Sequence, residues 1–318
     1  MSKDDLLDKT LNDRDFDGVF TKVDHIGDLG LRNPNHVHIY HLSIENNSFI
    51  YEGLHRFIQN NVGRYVFSRA QLNQFHIDGD SESVGLRAIE LLRKSRKATD
   101  TGAGGELGEM LLYAFLEQVL GAPKLLSKIE LKTSPNMYVY GSDGVYLLHA
   151  SDENGMPFYQ LVLGESKIKG DLNAAVNNAF ESIRKIISNP SNEIRLVESN
   201  IFKEAYTPEQ VDNIMRIILP EKRTDVQYDK AFGVFLGYSL ELDGSGMSNT
   251  QYRQAVKDKL VGDVKGIITH IAKKINEKDA DGKDLSGYSF YFYMLPFNNT
   301  DSDRRAIIER LIGGDGNA

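Results

Sequence analysis

A chain of 318 residues, 41% hydrophobic and 26% charged, has an ordinary globular composition and room for one large domain or two. It contains no cysteine, which excludes disulfides and thiolate metal sites, and its net charge of −8 argues against a protein that grips nucleic acid through a general basic surplus. The charged N-terminus MSKDDLLDKTLNDRDFDG lacks the apolar core of a secretory signal, and no stretch approaches the roughly 20 apolar residues of a membrane span, so a soluble cytoplasmic protein is expected.

Residues 1–97 read as a mixed α/β extension. HVHIYHLSI (36–44) alternates with the period of a strand, while 47–62 and 82–97 carry helical periodicity. ATDTGAGG (98–105) is small and Gly-rich, a hinge into a second unit at 98–318. There GELGEMLLYAFLEQVLG (105–121) predicts a helix closed by Gly121. SKIELKTS (127–134) and MYVYGSDGVYLLHAS (137–151) predict strands, DENG (152–155) a turn, and MPFYQLVLGESKIKG (156–170) a third strand. Helices follow at 171–189, with Asp171 as N-cap, and at 208–221, with Thr207 as cap and Pro208 first. KAFGVFLGYSLEL (230–242) reads as a buried strand and 249–277 as a long amphipathic helix. GYSFYFYMLPF (287–297) reads as a core strand with alternate tyrosines exposed, and a short helix at 303–312 ends the pattern. The order implies an α/β fold with a central mixed sheet flanked by helices.

One stretch carries the chemistry. In LVLGESK the side chains of Glu165 and Lys167 point to the same face of their strand, with Ser166 between them. Asp143, in GSDGVYLL, begins a neighbouring strand and converges with Glu165 if the two strands pair. Two carboxylates at one sheet end suit Mg²⁺, a hard ion that keeps several waters and accepts phosphate oxygens. Lys167 could orient or deprotonate an attacking water, or stabilise charge developing on a phosphate. Glu106 and Glu109 share one face of the preceding helix, and Gly105 and Gly108 thin that face for a close approach to the sheet. Each signal alone has a plainer reading: an aspartate in a turn, a solvated strand end, acids placed by the helix dipole. It is their ordered combination that points to phosphodiester hydrolysis.

The set Glu106/Glu109, Asp143 in GSDG, and Glu165-Ser166-Lys167 resembles the PD-(D/E)xK nuclease superfamily, although Ser142 stands where the motif has proline. The resemblance implies a core of this helix–strand order that cuts nucleic acid with Mg²⁺ or Mn²⁺. It implies Asp143 and Glu165 as metal ligands, the Ser166 carbonyl as a further ligand and Lys167 as the catalytic lysine. Glu109 would be the helix acid, with Glu106 as its rival. Over most of residues 95–300 the chain is also similar to the HamA family, the nuclease subunits of the Hachiman anti-phage defence system. That likeness implies an effector that degrades DNA and is held in check by a superfamily 2 helicase, HamB. A non-catalytic subunit regulating the helicase and a repair or restriction nuclease are the alternatives. Residues 1–97 show no active-site pattern and are expected to dock on the helicase.

Other signals carry less. His36 and His38 share a strand face but lack further ligands nearby. TGAGGELG has neither GxGxxG spacing nor a GK[ST] ending. The basic faces at 93–97 and 257–274 read as solvated helix surface.

Overall fold

The structure, a computed structural model, describes residues 7–25, 29–30, 36–95, 105–132, 141–151, 157–188, 206, 208–218 and 228–313. Residues 98–104 of the expected hinge, the start of the strand expected from 137, the turn at 152–155 and the Thr207 cap lie outside the described residues.

A mixed seven-stranded sheet organises the molecule, as the alternation of strand and helix signals implies. Its strands are β1 (Thr21–Val23), β2 (His36–His41), β5 (Lys124–Ser127), β6 (Gly144–Ser151), β7 (Pro157–Ile168), β8 (Tyr228–Ser239) and β9 (Ser289–Phe297). They lie in the order β1-β2-β9-β8-β7-β6-β5. The inner four, β2, β9, β8 and β7, run parallel, while β1, β6 and β5 pair antiparallel at the two sides. Strands from before and after residue 97 therefore share one sheet and one apolar core.

One face is covered by α5 (Glu106–Phe115), with α2 (Glu52–Val66) against it. The other carries α7 (Leu172–Ile187), with α9 (Asn249–Asn276) packed beside it. Phe115 of α5 lies 5.9 Å from Phe235 and 5.3 Å from Tyr293, whereas Phe180 of α7 lies 5.8 Å from Phe290. Odd residues of β8 and β9 thus face α5 and even ones face α7. Through the pairs Glu165↔Val234 and Ser166↔Phe235, the same division extends to β7.

Covering both faces removes the expected exposed tyrosines: every residue of β9 is buried, with Tyr293 at 0% exposure. A central strand reads as apolar throughout because neither face meets water. Removing one of these rings, Phe115 for example, would cost about 3–5 kcal/mol.

Three local readings are corrected. The helix expected at 47–62 begins at Glu52, because Asn46 and Asn47 adopt φ of 47° and 58° and turn a small hairpin, β3 (Ile44–Glu45) and β4 (Ser48–Phe49). Asparagine tolerates that left-handed conformation, which suits a two-residue hairpin. An additional helix, α3 (Arg69–Ile77), starts at a capping box made by Ser68 and Gln71. Most consequential, the strand expected at 127–134 is β5 ending at Ser127, followed by helix α6 (Lys128–Lys132). Ser127 Oγ accepts from the Glu130 amide at 3.3 Å, and Glu130 Oε2 accepts from the Ser127 amide at 2.8 Å. That reciprocal pair is a helix-starting capping box, and it ends the strand.

Candidate active site

Strand register brings the sequence-predicted residues together. The β6–β7 pair Gly144↔Gly164 sets Asp143 opposite Glu165, and the β5–β6 pair Ser127↔Gly144 sets Lys128 opposite Asp143. Lys128, just past β5, Asp143, just before β6, and Glu165 in β7 thus stand at one level at neighbouring strand positions, where side chains are within reach of each other.

Above this row, α5 approaches β7 closely. A Cβ on Gly108 would sit 2.9 Å from Ser166 Oγ, so glycine is required for the helix to lie where it does. Gly105 serves a different end: a Cβ there would meet Glu109 Oε1 at 2.8 Å. The glycine leaves space for the Glu109 carboxylate, which is 2% exposed.

Asp143, also buried, accepts from the Ser166 amide at 2.7 Å and from Ser166 Oγ at 2.6 Å, both through Oδ2. Lys128 Nζ joins Asp143 Oδ1 at 2.7 Å to Glu109 Oε1 at 2.9 Å. Tyr65, reaching in from α2, donates to Glu109 Oε2 at 2.7 Å. Of the two helix acids considered, Glu109 is therefore the one that this ammonium pairs with; Glu106 lies half-buried at the start of α5.

Glu165 and Lys167 face α7, on the side of the sheet away from α5. Lys167 Nζ is ion-paired with Glu165 Oε1, while Glu165 Oε2 is buried and accepts no hydrogen bond from the described residues. Burial, reinforced by the Asp143 carboxylate, pushes the Glu165 carboxyl up to about 7, although Lys167 and Lys128 pull it down. Burial opposes charge on Lys128, but Asp143 and Glu109 outweigh it and hold this ammonium above the ordinary lysine range. Lys167 keeps a quarter of its side-chain surface exposed.

Among the described residues, no three His, Cys, Asp or Glu side chains gather as a metal cluster, His36 and His38 included. Those histidines instead stack on Tyr291 and Tyr293, at 5.4 and 5.6 Å. The Asp143–Glu165 pair nonetheless fits a hard divalent ion. Its donors are carboxylate oxygens, one of them buried without a hydrogen-bond donor among the described residues, and Mg²⁺ needs only one or two protein carboxylates.

Sequence reasoning missed Lys128 and Tyr65. The S-x-x-E pattern at Ser127–Glu130 was a readable signal for the first, whereas nothing local marks Tyr65, which arrives from a helix 44 residues earlier in the chain. No helix among the described residues is long and apolar enough to cross a membrane.

Comparison with curated proteins and with solved structures finds no match. The HamA family model, by contrast, matches residues 17–311. That span includes β1 and β2 as well as every residue of the carboxylate and lysine network. The chain belongs to the HamA family, a component of the Hachiman anti-phage defence system.

Proposed function

We propose that this chain is the DNA-cleaving effector of its defence system, a Mg²⁺- or Mn²⁺-dependent deoxyribonuclease controlled by a partner helicase. The observation that carries this reading is the buried Glu165 Oε2 opposite Asp143, without a hydrogen-bond donor among the described residues, with Lys167 on the same strand face. A carboxyl group whose burial raises its pKa, beside a lysine at a strand end, is a common signature of catalytic chemistry.

Asp143 and Glu165 would hold the ion, with the Ser166 backbone carbonyl as a further oxygen donor. Once bound, the ion would act as a Lewis acid on the scissile phosphodiester. Ser166 keeps the Asp143 carboxylate in place through two hydrogen bonds, and Tyr65 does the same for Glu109. Lys167 reaches solvent from the end of β7, where it would stabilise charge on the phosphate or orient the attacking water. A net charge of −8 suits a chain to which DNA is delivered by a superfamily 2 helicase, HamB-like, that also restrains it.

DNA degradation by wild type, Glu165→Ala and Lys167→Ala tests the proposal, with Mg²⁺ or EDTA and with or without the helicase. Cleavage should require the divalent ion and fall at least about 100-fold in each variant, with folding and helicase binding intact. Undiminished cleavage by both variants would remove the catalytic assignment. Variants that keep full defence would make the chain a non-catalytic regulator of the helicase, and cleavage indifferent to the helicase would favour a repair or restriction nuclease.

A further inference from the structure

Every oxygen of Asp143 and Glu109 is engaged. Asp143 Oδ2 is held by Ser166 and Glu109 Oε2 by Tyr65, and the two remaining oxygens, Asp143 Oδ1 and Glu109 Oε1, both turn to the Lys128 ammonium at 2.7 and 2.9 Å. A Mg²⁺ ion binds carboxylate oxygens at about 2.1 Å, so an ion bound to Asp143 Oδ1 would take the space that the ammonium fills. Ion and ammonium cannot both be there.

Lys128 is also placed to leave. Its side chain is 30% exposed, and its four-carbon stem turns freely, so the ammonium can swing to solvent without moving α6. The capping box at Ser127 and Glu130 anchors that helix independently of the ion pair.

We propose that Lys128 is an internal counter-cation that holds Asp143 Oδ1 against Glu109 and has to be displaced from that oxygen before a divalent ion held by Asp143 and Glu165 can bind. This rests on the reading of Asp143 and Glu165 as the ion's ligands. Metal loading is then a competition between a tethered single charge and a free double charge. The protein holds its carboxylates neutralised at low metal concentration and yields them only above a threshold.

The full-length chain tests this without any cleavage assay. Mn²⁺ binding is measured by loss of the free-ion electron paramagnetic resonance signal, alongside thermal melting in EDTA and in Mg²⁺. Lys128→Met and Lys128→Gln should each bind Mn²⁺ at least about tenfold more tightly than wild type, since each removes the competing charge. Both should melt below wild type in EDTA and recover in Mg²⁺; a variant that folds only with Mg²⁺ gives the same result in stronger form. Wild-type Mn²⁺ affinity in both Lys128 variants, with binding abolished by Asp143→Asn, would overturn the inference. Lys128 would then be a structural ion pair, and the metal-site reading would stand. No Mn²⁺ binding by wild type or by either Lys128 variant would overturn both.

Discussion

Lys124 and Lys128 stand four residues apart, one at the start of β5 and the other just past its end, and both are surrounded by carboxylates. Lys124 is 1% exposed, and its ammonium donates to three backbone carbonyls, of Arg64, Tyr65 and Phe67, at 2.9–3.0 Å. Glu117 beside it accepts from the amides of Thr10, Leu11 and Lys124 and from the Thr10 hydroxyl. The Lys124 ammonium and both Glu117 oxygens are fully engaged, and this network ties the N-terminal segment to α2 and β5. Around Lys128 the balance differs: two lysines are partly open to solvent, and Glu165 keeps a buried oxygen without a donor among the described residues. A saturated network stabilises a scaffold, while an incompletely satisfied one costs stability and leaves a place for a ligand. The contrast separates scaffold from site more sharply than residue type does.

The largest effect expected from that contrast is on stability in the first network. Glu117→Ala strands three buried amides and should destabilise the fold by about 3–5 kcal/mol in denaturant unfolding. Lys167→Met, although it also breaks a buried pair, should cost less than about 1 kcal/mol at pH 6. The Glu165 carboxyl, already near 7, simply keeps its proton when its partner is gone. Equal losses in the two variants would erase the distinction.

A smaller, pH-dependent effect sharpens it. Between the ordinary value of 4.5 and about 7, folded Glu165 holds a proton that the unfolded chain has released. Its contribution to stability is therefore full below 4.5 and is lost as pH rises through 7. In EDTA, Glu165→Gln should melt above wild type at pH 8 and lose that advantage at pH 5.

The smallest effect runs the other way and lies far from the site. Burial, with Lys22, His36 and His25 nearby, lowers His38 from 6.5 to about 4. The unfolded chain takes up the proton first, so stability present above 6.5 falls as pH drops toward 4. His38→Gln should flatten this acid limb of the melting profile and leave the behaviour above pH 7 unchanged.

Much of this layout was legible in the chain. The strand at 156–170 and the shared face of Glu165 and Lys167 follow from alternation alone, which any extended segment obeys. The helix at 171–189 was marked by its cap, and Asp171 indeed accepts from the Ala174 amide at 2.7 Å. The closeness of α5 to the sheet was visible in Gly108. Lys128 was hidden because SKIELK alternates like a strand, and its capping box competed with that pattern and prevailed.

Local periodicity, caps and composition were enough to establish an α/β chain with a charged pair ending an apolar strand, because those features depend on residues a few positions apart. Which charges meet depended on long-range register. Gly144 pairs with Ser127 on one side and Gly164 on the other, and this lines up Lys128, Asp143 and Glu165 from three separate segments. Folding also brought Tyr65 to Glu109 and filled, with Lys128, the space between two carboxylates. Such contacts arise from packing and electrostatics between distant segments, which no local spacing records.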